Sequence, residues 1–187
     1  MPQKFNYIDF SNSITSMPRK SASLSKDRYI SNEFMELEWE GIWTKTWLFA
    51  GIESDLAEVG DFFVYDIGRE SIVITRNEKM KISAFYNVCQ HRGNKIVTIE
   101  SGSFNRVSCP YHGWTYSLNG KLEHVPDREL FEGGVPCEEH SLKPVKVSIW
   151  AGLIFINMDE KSSSLETFLG PIIDQLKPYK FEKMSLV

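Results

Sequence analysis

Three cysteines in 187 residues are an odd number, and too few for a secreted disulfide framework. Long apolar runs are missing too. No stretch approaches the ~18 consecutive apolar residues of a spanning helix, and the N-terminus lacks the apolar core of a signal peptide. Positive charge is in deficit: 21 Lys and Arg against 25 Asp and Glu leave a formal net charge of −4. The basic residues are scattered among acids, which argues against the clustered cationic face that nucleic acid requires. There is no internal repeat. These absences predict a soluble protein of a reducing, cytoplasmic setting, with neither nucleic acid nor membrane as a partner.

What is present is apolar and aromatic mass, 42% and 13% of residues, enough for a sizeable core. A domain of about 150 residues buries roughly 70% of the surface its unfolded chain exposes. The length fits one domain with flanking pieces, and such a domain needs no metal in order to fold. Metal-binding side chains, where they occur, are then expected to serve chemistry.

Residues 11–26 are rich in serine and poor in apolar side chains, so residues 1–28 read as a polar, partly disordered leader. Ser31 is a candidate N-cap, and Met35, Trp39, Ile42, Trp43 and Thr46 recur at helical spacing, which predicts one amphipathic helix with its tryptophans in the core. From Val59 the pattern turns to short strands: 62–67, 71–76 and 81–87, separated by turn signals at Gly68-Arg69 and Asn77-Glu78. Asn119-Gly120 marks a hairpin between 114–118 and 121–125. Two more strands are expected at 145–150 and 152–157, then a helical stretch at 164–176 interrupted by Pro171. The fold class is mostly β, an antiparallel β-sandwich preceded by a helix and followed by a short helical segment.

Two segments stand apart: Cys89-Gln90-His91-Arg92-Gly93 and Cys109-Pro110-Tyr111-His112-Gly113-Trp114. Each supplies one Cys and one His at the end of a strand pattern, so two loops at one end of a β domain can face each other. In extended chain, residues i and i+2 point to one side, which lets Cys89 and His91 approach one site. Gly93 and Gly113 follow the histidines directly, where the missing Cβ lets backbone come close to a bulky inorganic centre. Two Cys and two His also make a zinc set, though structural zinc sites usually keep cysteines and histidines in separate pairs. One thiolate and one imidazole per loop suits a two-iron cluster whose irons take the cysteines and the histidines respectively. Zinc, and ordinary core cysteines with surface histidines, stand as the alternatives. Cys137 reads as a structural or partly exposed thiol, and His124 and His140 as solvated side chains, with contact to a redox partner as their other reading.

The stretches 85–93 (FYNVCQHRG) and 109–116 (CPYHGWTY) resemble the Rieske domain of Rieske non-haem iron oxygenases, the ring-hydroxylating type of large subunit. Weaker similarity runs from about Tyr29 to Asn157. The resemblance implies that Cys89 and Cys109 bind the inner iron of a 2Fe-2S cluster, and His91 and His112 the outer, surface-facing one. Arg92 and Trp114 match positions that pack around the cluster or hydrogen-bond near it. Respiratory Rieske proteins add two cysteines that clamp the cluster; the matching positions here are Asn94 and Tyr111.

The same resemblance implies a catalytic domain with a mononuclear Fe(II) held by two histidines and a carboxylate. No histidine follows His140, so that iron is expected in a missing domain or in a partner. The expected boundaries are 1–28 leader, 29–157 Rieske domain, and 158–187 the start of a catalytic domain that is otherwise absent. The implied partners are a reductase or ferredoxin donor and an oxygenase catalytic domain or subunit, in a homo-oligomer that the family makes as a trimer. This chain alone is expected to be inactive on substrate. A free-standing Rieske ferredoxin is the other reading.

Overall fold

The computed structural model describes residues 25–135 and 137–184. The expected leader therefore lies mostly outside the described residues. The chain divides after Glu36 into two units. Before the division stands α1 (Asp27–Ile30), and α2 (Asn32–Glu38) spans it. Ser31 caps α2 as expected, its Oγ accepting from the Phe34 N–H at 3.2 Å.

One amphipathic helix over 31–47 does not form. After α2 the chain widens into a π-helical turn, Trp39–Trp43, closed by the Thr44 N–H donating to the Trp39 carbonyl at 3.1 Å. Of the expected apolar face only Trp39 is buried; Met35, Ile42 and Trp43 are exposed. Trp39 packs on the turn at Gly68 and Arg69, with the Arg69 guanidinium 5.3 Å from its ring. That tertiary contact wins over helical continuity.

Among the described residues ten strands follow: β1 (Leu48–Ile52), β2 (Asp61–Ile67), β3 (Glu70–Arg76), β4 (Ile82–Tyr86), β5 (Ser101–Ser103), β6 (Val107–Ser108), β7 (Thr115–Tyr116), β8 (Leu122–His124), β9 (Lys146–Trp150) and β10 (Leu153–Asn157). They form three antiparallel sheets, ordered β1-β10-β9, β4-β3-β2-β5 and β6-β7-β8. The mostly-β sandwich is confirmed.

Strand β3 explains the layering. Residues 72–76 are all buried, because both faces of the four-stranded sheet are covered. Alternation sends Ile72 and Ile74 into one core with Leu48, Leu56, Ala84, Val145, Ile154 and Ile156. Val73 faces the other way, into a core with Phe62, Phe85, Val107, Tyr116 and Leu122. Each such side chain contributes roughly 2 kcal/mol. The second core carries the small sheet β6-β7-β8 and, with it, the Cys/His loops.

The Asn119-Gly120 signal is met by a turn in which the Gly120 N–H donates to Ser117 O and the Ser117 N–H to Lys121 O, both at 2.9 Å. Only Gly120 of the pair takes a positive φ, 81°, which makes a three-residue loop with a glycine bulge. Helices α3 (Leu165–Leu169) and α4 (Ile172–Leu176) flank Pro171, and Ser164 Oγ caps the first, accepting from the Thr167 N–H at 3.3 Å. Trp47 joins Leu165 and Leu169 in a third small core, its indole N–H donating to the Ser163 carbonyl at 3.1 Å. Among the described residues no helix is long and apolar enough to cross a membrane.

Candidate metal centre between two matched loops

The first loop leaves β4 through Asn87; the second joins β6 to β7. Their backbones repeat one pattern. Each cysteine N–H donates to the carbonyl five residues on: Cys89 to Asn94 at 2.9 Å, Cys109 to Trp114 at 2.8 Å. Each cysteine carbonyl accepts from the glycine four residues on, Gly93 at 2.9 Å and Gly113 at 3.0 Å. These glycines have φ of 72° and 68°. The loops are thus the same turn, although the histidine is the second residue after the cysteine in one and the third in the other.

The structure adds a second reason for glycine. The left-handed φ that closes each turn is a conformation other residues adopt only with strain, and a Cβ on Gly113 would also meet the Pro126 side chain at 3.1 Å, whereas one on Gly93 would meet no protein atom within 4 Å.

The turns present their donors in two pairs. Cys89 and Cys109 are 2% and 3% exposed, members of one buried cluster, and the Cys89 thiol feels that of Cys109. Burial pushes the Cys89 thiol up; a hydrogen bond from Tyr116 and one from the backbone at His91 oppose it, and Cys109 adds to it. The histidines lie outward. His112 is exposed and His91 half-buried, with ring centroids 4.7 Å apart at 69°. Burial first, then the charges of His112, Arg92 and His140, push the His91 imidazole down, toward the neutral form that ligates metals.

Aromatic rings brace the histidines. The Trp114 indole, 4% exposed, lies parallel to His91 at 4.8 Å and 8°, so a side chain of the second loop steadies the histidine of the first. Tyr111 packs on His112 at 3.8 Å. Arg92 is exposed and acts on His91 through its charge.

The chemistry of the donor set fits a binuclear centre: two thiols on the buried side, two imidazoles on the solvent side. Among the described residues no three His, Cys, Asp or Glu side chains converge on one point. The four donors stand as two pairs.

Three contributors escaped the sequence reading. Asn87, 1% exposed, ties the first loop back: its Nδ2 donates to Val97 O at 2.8 Å, and its Oδ1 accepts from the N–H groups of Ile96 and Val97 at 3.1 and 2.8 Å. Tyr116, fully buried, puts its hydroxyl 3.3 Å from Cys89 Sγ. His140 is not a solvated side chain. It is half-buried and meets Trp114 edge-to-face at 5.6 Å. Nothing in the sequence around an Asn, a Tyr or a His marks such roles, which depend on partners far along the chain. Cys137 is half-buried against the second core and His124 is exposed on β8, as expected.

A family model described as the Rieske [2Fe-2S] domain matches residues 46–140. The glycine betaine monooxygenase oxygenase subunit of Pseudomonas aeruginosa is 32% identical over 171 residues, covering 89% of this chain and 38% of the relative. The carnitine monooxygenase oxygenase subunit of Acinetobacter baumannii is 36% identical over 148 residues, covering 79% and 40%. A crystal structure of the apo form of a quaternary ammonium Rieske monooxygenase superposes with a TM-score of 0.78 at 36% identity, over 83% of this chain and 45% of that one. This chain therefore spans less than half the length of these relatives. The family match takes in both Cys/His loops and more than half of the sequence, and on that ground the chain belongs to the Rieske [2Fe-2S] domain family.

Proposed function

We propose that Cys89 and Cys109 hold the inner iron of a 2Fe-2S cluster and His91 and His112 the outer one. On this reading residues 29–157 pass single electrons from a reductase or ferredoxin toward a mononuclear iron site in an oxygenase catalytic domain or subunit. One observation carries it: two loops of one backbone pattern bring a buried cysteine pair and an outward histidine pair together.

When bound, such a cluster supplies a one-electron redox centre, and imidazole ligands raise its potential above that of an all-cysteine cluster. The chain's own residues set the conditions. Burial of Cys89 and Cys109 keeps water from the sulfur side. The exposed His112 and Tyr111 bring the other side to the surface, where a redox partner can approach. Trp114 and Tyr111 limit how far the imidazoles can tilt. Residues 158–187 are read as the lead into a catalytic domain; the support is the length of the relatives beyond the matched portion.

The test is EPR of the anaerobically purified, dithionite-reduced protein, with iron, acid-labile sulfide and zinc quantified. A Rieske-type signal with two irons and two sulfides per chain is expected. Zinc with no sulfide and no signal would make the four residues a structural site and end the redox reading.

A further inference from the structure

Among the side chains that reach the histidine edge from further along the chain, His140 is a ring that meets Trp114 directly. His140 comes from the segment that leads into β9, and its neighbours fix it there. The Ser141 hydroxyl donates to Cys137 O at 2.9 Å and accepts from the Leu122 N–H at 3.2 Å. The Leu142 N–H donates to Gly120 O at 2.7 Å, and the Leu142 side chain is 4% exposed. With the two residues that follow it anchored in this way, the His140 ring meets the Trp114 indole edge-to-face, 5.6 Å between centroids at 63°.

Trp114 is stacked parallel on His91. The three rings form a chain, His140 to Trp114 to His91, whose outermost member is fixed from the segment that leads into β9. His140 also lines a cavity of about 180 Å³ with Gln90, His91, Trp114, Phe131 and Val135. A flat ring beside a cavity has room to turn, and interiors hold a ring in one orientation only where neighbours fill its surroundings. Here the ring that meets the indole edge-to-face is His140.

We infer that His140 is a positioning residue for the outer iron's ligand: its ring holds the Trp114 indole in place, and the indole in turn fixes the plane of His91. The inference rests on the reading of His91 as a cluster ligand. It assigns the role to ring packing, not to proton exchange, and a substitution can separate the two. Phenylalanine keeps an edge that can meet the indole and has no nitrogen. Alanine removes the ring and enlarges the cavity. Leucine fills similar volume without a ring.

The experiment uses the full chain with its cluster, as wild type, His140→Ala, His140→Leu and His140→Phe. Pulsed EPR of the reduced protein reads the ¹⁴N couplings of the two histidine ligands, and a redox titration reads the potential. In His140→Ala one of the two nitrogen couplings is expected to broaden and shift, with the potential moved from its wild-type value, while the urea midpoint stays close to wild type. His140→Leu is expected to show the same change, and serves if the alanine variant fails to fold. His140→Phe is expected to restore wild-type couplings and potential. Wild-type couplings in the Ala or Leu variant overturn the inference, as does a Phe variant that behaves like Ala. A wild-type protein with no Rieske-type signal fails the ligand reading and takes this inference with it, whereas a normal wild-type signal with insensitive variants removes the role of His140 alone.

Discussion

The Tyr116 hydroxyl stands 3.3 Å from the Cys89 sulfur while also accepting the Gln90 backbone N–H at 3.2 Å, in a side chain with no exposed surface. Burial first, then the bond to Cys89, push the phenol well above its ordinary range, so it keeps its proton. With Cys89 holding the cluster as proposed, the phenol would be the donor to its sulfur. A hydrogen bond to such a sulfur is strongest when the centre carries its extra electron, so it favours the reduced state. Tyr116→Phe is expected to lower the potential by about 60 mV, a tenfold change in a one-electron equilibrium. A redox titration checks it; an unchanged or higher potential would remove Tyr116 from the tuning of the site.

The ligand set makes a sharper demand. His91→Ala or Cys109→Ser is expected to abolish the cluster, seen as loss of acid-labile sulfide and of the EPR signal. Arg92→Ala, which changes an exposed charge near the site, is expected to keep both. A normal cluster in either ligand variant would refute the assignment.

Asn87 should matter to the first loop as much as the ligands do. Removing its amide leaves the buried N–H groups of Ile96 and Val97 and the carbonyl of Val97 without a partner. Asn87→Ala is expected to destabilise the fold by about 3 kcal/mol, since unpaired buried groups lose their full solvation. Urea unfolding reads the loss, and iron content should fall with it. A variant of wild-type stability with full iron would show that the loop is held by other means.

Two arginines that look alike in the sequence should separate cleanly. Arg76, 8% exposed, donates to the carbonyls of Leu56 and Met80 and pairs with Glu53 at 3.2 Å. Arg106 pairs with Glu123 at the surface. Arg76→Ala is expected to cost about 3 kcal/mol, because it leaves buried acceptors unpaired. Arg106→Ala is expected to leave the urea midpoint unchanged, as exposed pairs add little. Equal effects would contradict the burial argument.

Thr75 offers a gain. Its hydroxyl is buried on the face of β3 that carries Val73, and among the described residues it has no hydrogen-bond partner. Thr75→Val keeps the shape and removes the unmet group, so stability is expected to rise by about 1 kcal/mol. Calorimetry would show a higher Tm; a lower one would mean that the hydroxyl has a partner after all.

The sequence by itself determined the elements whose signals are local. Alternating and continuous apolar runs gave β2, β3, β4 and β10, because strand period and burial are written into neighbouring residues. The repeated Cys-x3-Gly of 89–93 and 109–113 carried the two turns, because a left-handed φ is a demand on one residue. The mixed Cys/His pairs carried the chemistry, since donor type is a property of the side chain alone.

Tertiary structure decided the rest, where the reason for a residue lies far away in the chain. The strand β5, Ser-Gly-Ser with all three residues exposed, forms on the edge that β2 offers it. Strand β1 is fixed by its pairing with β10. The helix around Trp39 breaks because that ring packs on a turn near residue 68. Around the metal centre, Asn87 acts on Val97, Tyr116 on Cys89, and His140 on Trp114. A hydrogen bond or a ring contact has a range of a few ångströms, and only the folded chain brings residues 10 to 27 positions apart within it.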